Sequence, residues 1–391
     1  MYIYSNTVFG QLLNFLPRDQ FKAFVGQHES DRYVKKLSTW GQLAIMLFAQ
    51  ASGKDSLRDI ELGLKSHPET WYHLGIGSCA KSTLAYANEN RDYRTYESLF
   101  YALLKRCQAV AVDRSFDFKN PLFSLDSTTI QLCLNMFDWA HFRTLKGALK
   151  IHTLFNNRTA MPELLNATTG KVADITAAKN MALTAHLEKG SIVVFDRGYI
   201  DYSWWRELNE NGLFFVSRVK KNQKQFVLGQ HDSNLEKDIL KDEIVMIDEY
   251  HGHQKYPKEL RRVTCFNQEK QCVYVYITNN FDLKASQIAL IYKQRWQIEL
   301  FFKWIKQNLK IKSFLGTSKN AVLTQIWIAM IYYLLLAYVK FQTKLKKSLL
   351  DFTRLIRDSL LFRRDLIDLL SLNCQNISKL RENLPIQLCF L

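Results

Sequence analysis

The central part of the chain, residues 191–220, reads SIVVFDRGYIDYSWWRELNENGLFFVSRVK. It begins with the short apolar run SIVVF, which is typical of a strand buried on both faces. SWWRELNENG then predicts a helix that stops at Gly212, and LFFVSRVK predicts a second strand. A crossover helix between two apolar strands indicates neighbouring strands of one sheet with a helix packed over them. This segment places the chain in the α/β class.

Three further strands are predicted before this segment, all of them after Pro121. They are LFSLDSTTIQLCL at 122–134, ALKIHTLFNN at 148–157 and MPELLNATTG at 161–170. ITAAKNMALTAHLEKG, at 175–190, is helix-like and leads into the central strand. The order predicts a three-stranded meander followed by crossover units, which together form a mixed sheet covered by helices.

The amino-terminal part has helical patterns. STWGQLAIMLFAQASG has an apolar stripe, with Ser38 or Thr39 as the expected cap and Gly53 as the expected stop. Ser82 or Thr83 is expected to cap another helix. Two short helices around a glycine-containing loop are compatible with a DNA-binding helix-turn-helix variant, and equally with any small helical domain.

The pattern changes again between about 221 and 285, where acidic and basic residues are mixed. RRVTCFN and CVYVYITNN read as strands there, so we expect an independent β-rich insertion. From about Ala285 the chain is helical nearly to its end. AVLTQIWIAMIYYLLLAYV, at 321–339, is almost long enough to span a bilayer, but Thr324 and Gln325 interrupt it. We interpret it as a buried core helix rather than a membrane anchor.

The composition indicates a folded protein that binds a polyanion. Hydrophobic residues make up 47% and aromatic residues 13% of the 391 positions, which excludes a mainly disordered chain. The formal net charge is +16, and nucleic acid is the leading partner for such an excess. The seven cysteines are scattered without metal-ligand spacing, so neither a disulfide framework nor a zinc module is indicated. Nine lysines and no acidic residue fall in 301–350; the lysines are Lys303, Lys306, Lys310, Lys312, Lys319, Lys340, Lys344, Lys346 and Lys347.

Two carboxylates fall on predicted strands. Asp126 lies within SLDST among apolar neighbours, and Asp196 directly follows the apolar run of the central strand. A carboxylate at such a position is costly unless charged partners satisfy it. Each aspartate alone is compatible with a cap or turn. The two together suggest a polar site at the sheet.

A third carboxylate lies on the predicted helix IYKQRWQIELFFKWIKQNLK, at 291–310. Large apolar residues flank its polar stripe on both sides, with Ile298 and Phe302 on one side and Trp296 and Leu300 on the other. An ordinary amphipathic helix explains pairs such as Arg295–Glu299, but not two apolar flanks. We therefore expect a helix packed on both flanks, with its charged edge in a cleft. At about 100° per residue, a stripe of about 80° contains Tyr292, Arg295, Glu299, Lys303, Lys306 and Lys310.

This set of side chains suits phosphoryl transfer. Carboxylate oxygens are the ligands that Mg²⁺ prefers, and two such ions can activate an attacking oxygen and stabilise a leaving oxygen at phosphorus. The neighbouring stripe of arginine and lysine would hold a phosphodiester backbone.

The sequence resembles the DDE transposases of bacterial insertion sequences, in particular insertion-sequence family four. Tyr292, Arg295, Glu299 and Lys306 match the spacing Y-x2-R-x3-E-x6-K that marks this group. DST at 126–128 and DRGY at 196–199 resemble its two aspartate blocks. ALKIH, STLAYANENR and FLGTSKNAVLTQIWIA are also similar to segments of this group, so the resemblance covers most of residues 10–345.

The resemblance implies a ribonuclease-H-like catalytic core with a β-rich insertion, preceded by a helical DNA-binding domain. The implied boundaries are 1–115 for the DNA-binding domain, 118–345 for the catalytic domain with the insertion at 221–285, and 346–391 for a helical tail. The catalytic triad and the ligands of two Mg²⁺ ions, replaceable by Mn²⁺, map onto Asp126, Asp196 and Glu299. DNA contacts are assigned to Lys150, Arg197, Tyr292, Arg295, Lys303, Lys306 and Lys310.

The implied function is cut-and-paste DNA transposition by a cytoplasmic, nucleoid-associated protein. It would cleave the ends of an element and join 3′-OH strands to target DNA, as a homodimer holding two terminal repeats. Relatives stack a flipped base on a tryptophan of the insertion, but no tryptophan lies between 206 and 295 here, so Tyr274 or Tyr276 is the substitute. The alternatives are an inactive or domesticated DNA-binding protein, a nuclease of the same fold without strand transfer, and a membrane-anchored protein.

Overall fold

The computed structural model describes residues 6–111, 114–132, 137–143, 146–220, 222–233, 235–309, 314–343 and 348–371. The chain forms two compact units, which are described separately. The helical unit comprises Met1–Ala111 and Gln307–Leu391, and the sheet unit comprises Val112–Lys306.

Helices occur in both units. The α-helices are α1 (Val8–Leu13), α2 (Arg18–Gln27), α3 (Thr39–Ser52), α4 (Leu57–Lys65), α5 (Pro68–Tyr72), α6 (Lys81–Asn90), α7 (Arg94–Val110), α8 (Asp174–Asn180), α9 (Leu183–His186), α10 (Tyr202–Glu210), α11 (Tyr250–Lys255), α12 (Ala285–Gln294), α13 (Trp296–Asn308), α14 (Lys319–Gln342), α15 (Leu349–Ser359) and α16 (Leu366–Ser371). Short 3-10 helices lie at Asp138–Ala140 and Arg197–Tyr199.

The strands lie in the sheet unit. They are β1 (Leu122–Leu132), β2 (His141–Arg143), β3 (Lys146–Asn156), β4 (Met161–Thr169), β5 (Ile192–Phe195), β6 (Phe214–Arg218), β7 (Gln225–Gln230), β8 (Ile239–Ile247), β9 (Leu260–Asn267) and β10 (Cys272–Thr278).

One mixed sheet contains all the described strands. Its order is β2-β3-β1-β5-β6-β10-β9-β8-β7, and β4 also pairs with β3. β1, β3 and β4 form the antiparallel meander that the sequence predicts. β5 and β6 join it as the parallel strands of the predicted crossover units, running parallel to β1. The predicted α/β class and mixed sheet are therefore confirmed.

The strands of the predicted insertion continue this sheet. β10 pairs antiparallel with β6, and β9, β8 and β7 follow outward. The expectation of an independently folded insertion is therefore wrong in one respect, although the segment is β-rich as predicted. The cause lies at the β6 edge, where Tyr276–Thr278 complete backbone hydrogen bonds that β6 would otherwise leave open.

Both faces of the sheet are covered. On one face, Phe123, Leu125 and Phe195 pack with residues of α8 and α10. On the other face, Leu122, Ile192 and Val194 pack with α12, through Ile288 and Ile291 among others. Alternate residues of β1 therefore face opposite cores, as the two-residue period of a strand requires.

Two helix ends in the helical unit test the cap predictions. Ser38 caps α3, because its Oγ accepts a hydrogen bond from the Gly41 N–H at 3.1 Å, and Gly53 ends α3 with a φ of 70°. The prediction of Ser82 or Thr83 as a cap is wrong, because α6 begins earlier, at Lys81. There the Glu61 carboxylate accepts a hydrogen bond from the Lys81 N–H at 3.0 Å. This contact takes the place of a cap from a neighbouring side chain.

The apolar helix α14 forms the centre of the helical unit. By length and composition it is long and apolar enough to cross a membrane, and 94% of its most apolar 18-residue window is buried in the structure. It packs against α3, α6, α7 and α15. This burial agrees with the predicted core helix.

The compact units divide the chain differently from the predicted domain boundaries. The sequence places 118–345 in one catalytic domain and 346–391 in a separate tail. In the structure the chain from Gln307 onward belongs to the helical unit together with the amino-terminal helices. The reason is α14, whose apolar surface extends all round the helix and packs against amino-terminal helices.

Candidate active site

Asp126 lies within β1, beside Asp196, which directly follows the end of the parallel strand β5. β1 and β5 pair in a register that aligns Leu125 with Phe195. The next residue in each case is an aspartate, so Asp126 and Asp196 lie at the same level of the sheet. Asp196 caps the 3-10 helix Arg197–Tyr199, and its Oδ1 accepts from the Gly198 N–H at 2.7 Å. A Cβ at position 198 would lie 2.9 Å from the same oxygen, so a larger residue there would displace the Asp196 carboxylate.

Glu299 reaches the same site from a helix. The predicted helix over 291–310 is divided into α12 and α13 at Arg295, whose backbone stays helical with φ −54° and ψ −28°. The predicted stripe therefore keeps its direction across the division. The Arg295 Nη1 binds Asp126 Oδ2 at 2.9 Å, and its Nη2 binds Glu299 Oε1 at 2.5 Å. Arg295 thus joins the carboxylate of β1 to that of α13.

The other two carboxylates act on Asp126. The pKa of the Asp126 carboxyl group is raised to about 6: burial is the main cause, the negative charges of Asp196 and Glu299 add to it, and the Ser127 N–H and Arg295 oppose it. A perturbed carboxyl group with charged partners is typical of a functional site. The structure therefore brings together the three carboxylates that the sequence singles out.

A row of aromatic rings and cations borders the carboxylates. The Arg295 guanidinium lies 5.7 Å from the centre of the Tyr292 ring, and this ring lies 5.0 Å from the Tyr276 ring on β10. Arg218, at the end of β6, lies 4.5 Å from the ring of Tyr274. Burial raises the pKa of Tyr292, while the positive charges of Arg295 and Arg218 lower it. Arg218 was not predicted as a site residue, although its position at the end of the predicted strand after Asp196 could have indicated it.

The two flanks of α13 differ. Ile298, Phe302 and Ile305 are buried as predicted. On the other flank, Trp296 is 58% exposed and Leu300 is 49% exposed. The expectation of a helix packed on both flanks is therefore wrong at Trp296 and Leu300, whereas Trp304, on the same side, is half-buried. An exposed tryptophan thus lies one turn from Glu299.

The predicted DNA-contacting residues have different surroundings. Arg197 and Lys303 are exposed, and Lys306 is half-buried on α13. Lys310 lies outside the described residues. Lys150 is only 14% exposed, and its ammonium lies 3.2 Å from Asp174 Oδ1. Asp174 was not predicted as a site residue either, although its position at the start of a predicted helix could have indicated it.

The donor set fits a divalent cation. Three carboxylates supply the hard oxygen ligands that Mg²⁺ prefers, and their mutual repulsion favours a cation between them. Within the described ranges, no group of three His, Cys, Asp or Glu side chains is arranged to hold a metal ion as it stands. The cation that contacts Asp126 and Glu299 in this arrangement is the Arg295 guanidinium.

Comparisons with known proteins agree with this site. Residues 117–335, more than half of the chain, match the family described as transposase DDE domain. Residues 4–77 match a family described only as a domain of unknown function. The chain is 35% identical over 246 residues to the transposase named y4zB of Sinorhizobium fredii, which covers 62% of this chain and 67% of that protein.

Two relatives named for insertion sequences are also similar. The chain is 27% identical to the transposase named for insertion sequence element IS5377 of Geobacillus stearothermophilus, over 71% of this chain and 72% of that protein. It is 26% identical to the transposase named for element IS4SA of a Synechocystis species, over 71% and 76% respectively. The chain therefore belongs to the DDE transposases of bacterial insertion sequences, which cleave DNA and transfer its strands with the help of divalent metal ions.

Proposed function

We propose that Asp126, Asp196 and Glu299 are the catalytic carboxylates of this transposase. The observation that carries the proposal is the double pairing of Arg295, which contacts Asp126 at 2.9 Å and Glu299 at 2.5 Å. Asp196 follows the strand next to β1, and its charge raises the Asp126 pKa. All three carboxylates are therefore within electrostatic reach of one another, as a shared cation site requires.

The same three side chains would hold two Mg²⁺ ions, which Mn²⁺ can replace. When bound, such ions activate an attacking oxygen and stabilise the leaving oxygen at phosphorus. The task of the chain is to keep the carboxylates ionised and oriented. Arg295 contributes because its positive charge lowers the Asp126 pKa, which burial alone would raise further.

The DNA backbone is proposed to follow the charged edge of α13. Lys303 is exposed there, and Lys306 lies almost one turn further along the helix. Arg197 is exposed beside Asp196, and Arg218 adds a cation near Tyr292. Cationic side chains of this kind position phosphates without reading the base sequence. Lys150 is not included, because its charge is paired with Asp174.

Trp296 and Leu300 are proposed to contact an unpaired base near the cut. Both are half-exposed on the turn that carries Glu299. An exposed aromatic ring next to a phosphoryl-transfer site offers a stacking surface for any base. On this proposal Trp296 supplies the stacking group that the insertion lacks, in place of Tyr274 or Tyr276.

The helical unit is proposed to bind the element ends through a groove of about 600 Å³ between the α2–α3 connection and α6. Lys35 and Lys36 are exposed on one side of this groove, and Tyr86 is exposed on the other. Tyr33, at its rim, is 86% exposed and has a φ of 60°. A bulky residue with a left-handed backbone is strained, and such strain concentrates at functional sites.

The transposase is further proposed to act in the bacterial cytoplasm, at the nucleoid, as a homodimer that pairs two element ends. Both statements follow from the family resemblance rather than from a contact in the chain. Light scattering of the complex with end DNA measures its mass directly. A complex that contains one protein chain would contradict the dimer.

The first experiment is cleavage of linear DNA that carries the element with its own flanks. Wild type is compared with Glu299→Gln in the presence of Mg²⁺ or Mn²⁺. We expect metal-dependent cutting at the ends by wild type and a loss of about 10²–10³-fold in the variant, since removal of one charge-stabilising group costs on the order of 10²–10³ in rate. A target plasmid in the same reaction reports strand transfer.

Glu210→Gln is the matched control. Glu210 pairs with Arg206 at 2.7 Å in the same i,i+4 arrangement as Glu299 with Arg295, but on α10. We expect it to cut like wild type. Specific binding without cutting by wild type would instead indicate an inactive DNA-binding protein, and cutting without joined product would indicate a nuclease.

A further inference from the structure

A second polar cluster lies behind the catalytic strand. Asp126 and Ser127 are adjacent on β1, so their side chains point to opposite faces of the sheet. On the Ser127 face, His152 of β3 stands opposite Ser127, and Lys150 stands opposite Thr129. Asp174, the first residue of α8, completes the group. We call Ser127, Lys150, His152 and Asp174 the Asp174 cluster.

One oxygen of Asp174 organises this cluster. Its Oδ1 accepts a hydrogen bond from Ser127 Oγ at 2.7 Å and from Lys150 Nζ at 3.2 Å. Lys150 also donates to the Val172 carbonyl at 3.2 Å, which holds the ammonium in place. A carboxylate in the first turn of α8 is further stabilised by the positive end of the helix dipole. The Asp174 position is therefore well determined.

His152 closes the cluster toward the core. Its Nδ1 lies 3.7 Å from Asp174 Oδ1, and its Nε2 contacts the Thr168 hydroxyl at 2.8 Å. Burial lowers the pKa of His152 to about 4, so the imidazole is neutral at pH 7. The charges of Asp174 and Lys150 then cancel, and the cluster adds no net charge next to the three catalytic carboxylates.

Ser127 connects this cluster to the active site. Its backbone N–H donates to Asp126 Oδ1 at 2.8 Å, while its hydroxyl is held by Asp174. The N–H that contacts the Asp126 carboxylate thus belongs to the residue whose hydroxyl Asp174 holds. Outer-sphere hydrogen bonds of this kind orient the ligands of metal sites, and their loss costs about 10–100-fold in affinity or activity.

We propose that Asp174 is a positioning residue for Asp126, acting through Ser127, and that Lys150 serves to neutralise Asp174 rather than to bind phosphate. The proposal rests on the proposed role of Asp126 as a metal ligand. It assigns a purpose to the ALKIH segment, in which Lys150 and His152 are two residues apart and share one face of β3. Neither residue contacts the reacting atoms.

The test measures Mn²⁺ binding by isothermal titration in the full-length chain, without DNA. Ser127→Ala and Asp174→Ala are each expected to weaken Mn²⁺ binding by about 10-fold, within the range for outer-sphere hydrogen bonds. Binding of end DNA in the absence of metal should stay within about two-fold of wild type, because neither side chain is proposed to touch DNA. Ser127→Thr, which keeps the hydroxyl, should bind Mn²⁺ like wild type.

The double variant separates a shared effect from two structural ones. If Asp174 acts through its hydrogen bond to Ser127, Ser127→Ala/Asp174→Ala loses no more affinity than Asp174→Ala alone, since residues that act together are not additive. Asp201→Ala is the matched control: Asp201 caps α10, pairs with Lys179 at 2.9 Å and is 31% exposed, compared with 32% for Asp174. It should bind Mn²⁺ like wild type.

Four results would overturn the inference. Wild-type Mn²⁺ affinity in both Asp174→Ala and Ser127→Ala would exclude a positioning role, and so would losses that multiply in the double variant. If Asp174→Ala loses the circular dichroism signal of the folded protein, Asp174 has a structural role and Ser127→Ala alone decides. Wild-type Mn²⁺ affinity in Ser127→Ala would then overturn the inference. If wild type neither binds Mn²⁺ nor cuts DNA, the proposed function itself fails, and this inference fails with it.

Discussion

Asp126 illustrates how one residue can combine a proposed catalytic role with a cost in stability. It lies on a buried strand, where burial and the charges of Asp196 and Glu299 raise its pKa to about 6. Phosphoryl transfer needs this group ionised, so the fold must hold a charge that its surroundings disfavour. Arg295 and the Ser127 N–H reduce the cost without removing it. Catalytic groups of this kind are places where function and stability conflict.

This conflict predicts a pH-dependent effect of Asp126→Asn on stability. The folded protein keeps the Asp126 proton up to about pH 6, whereas the unfolded chain releases it near its ordinary pKa of 3.8. The contribution of Asp126 to stability therefore falls as the pH rises from about 4 to about 6, by at most about 3 kcal/mol. In metal-free protein, Asp126→Asn should gain about 1–3 kcal/mol over wild type at pH 8 and little at pH 4. Urea unfolding at both pH values measures this.

Asp201→Asn provides a control of opposite sign. Burial would raise the Asp201 pKa, but the hydrogen bonds from Lys179 and the Trp204 N–H hold it below its ordinary value. Its stabilising effect is therefore present above the unfolded pKa and is lost as the pH falls through the folded pKa. Asp201→Asn should destabilise the protein at pH 8. An Asp126→Asn variant that is less stable than wild type at pH 8 would contradict the prediction.

At the scale of elements, α13 combines three environments on one helix. One side is buried in the core, one carries Glu299 toward β1, and one exposes Trp296 and Leu300. The periodicity predicts the first two correctly. It cannot show whether an apolar flank is covered by protein or left open for a ligand, because both have the same pattern of residues. An open apolar flank marks an interaction surface.

Trp296→Ala should slow DNA cleavage without destabilising the protein. Base–aromatic stacking is worth about 1–3 kcal/mol, which corresponds to a loss of about 5- to 160-fold in the cleavage rate. The Tm should change little, because the ring is exposed. Cleavage kinetics measure the rate, and a fluorescent 2-aminopurine next to the cut reports whether a base leaves the duplex stack.

Two further variants separate stacking from a general surface effect. Trp296→Phe keeps an aromatic ring and should retain most of the activity. Tyr250→Ala removes an aromatic side chain on α11 that is also exposed, and it should cut like wild type. Equal rates for Trp296→Ala and wild type would exclude the stacking role.

At the scale of the whole molecule, the positive charge is distributed over both units. The net charge of +16 includes exposed cations beside the carboxylates of the sheet unit, such as Lys303, and others at the groove of the helical unit, such as Lys35 and Lys36. A DNA ligand that contacts both sets would meet many cations. Six to ten phosphate contacts predict a loss of about 10³–10⁵ in affinity between 50 and 200 mM salt.

Lys35→Gln/Lys36→Gln should lower the salt dependence of binding to end DNA. Each phosphate contact contributes about 0.9 to the slope of log affinity against log salt concentration, so the slope should decrease by about two. Fluorescence anisotropy over a salt series measures it. Cleavage by the sheet unit retains its metal dependence in this variant, because neither lysine belongs to that unit.

Lys65→Gln is the control for this measurement. Lys65 is an exposed cation of the same unit, but its ammonium is paired with Glu61 at 2.7 Å and it lies outside the groove. Lys65→Gln should therefore change the slope by less than about half of the 0.9 that one phosphate contact contributes. An unchanged slope in the double lysine variant would place the DNA elsewhere on the helical unit.

The sequence by itself determined the elements and the chemistry of the site. Apolar runs and glycine stops predict β1, β5, α10 and β6, because these signals act over a few residues. Asp126 and Asp196 stand out for the same reason, since each is a carboxylate at a strand that has to be buried. The spacing of Arg295 and Glu299 on one helix predicts their pairing, which the structure shows at 2.5 Å.

Only the tertiary structure decided what covers each face and which charges meet. Lys150 pairs with Asp174 because β3 and the start of α8 are brought together by the sheet, although the two residues are 24 positions apart in sequence. The exposure of Trp296 and the continuation of the sheet from β6 into β10 depend in the same way on distant parts of the chain. Periodicity determines which residues of an element share a face, but long-range packing determines what that face meets.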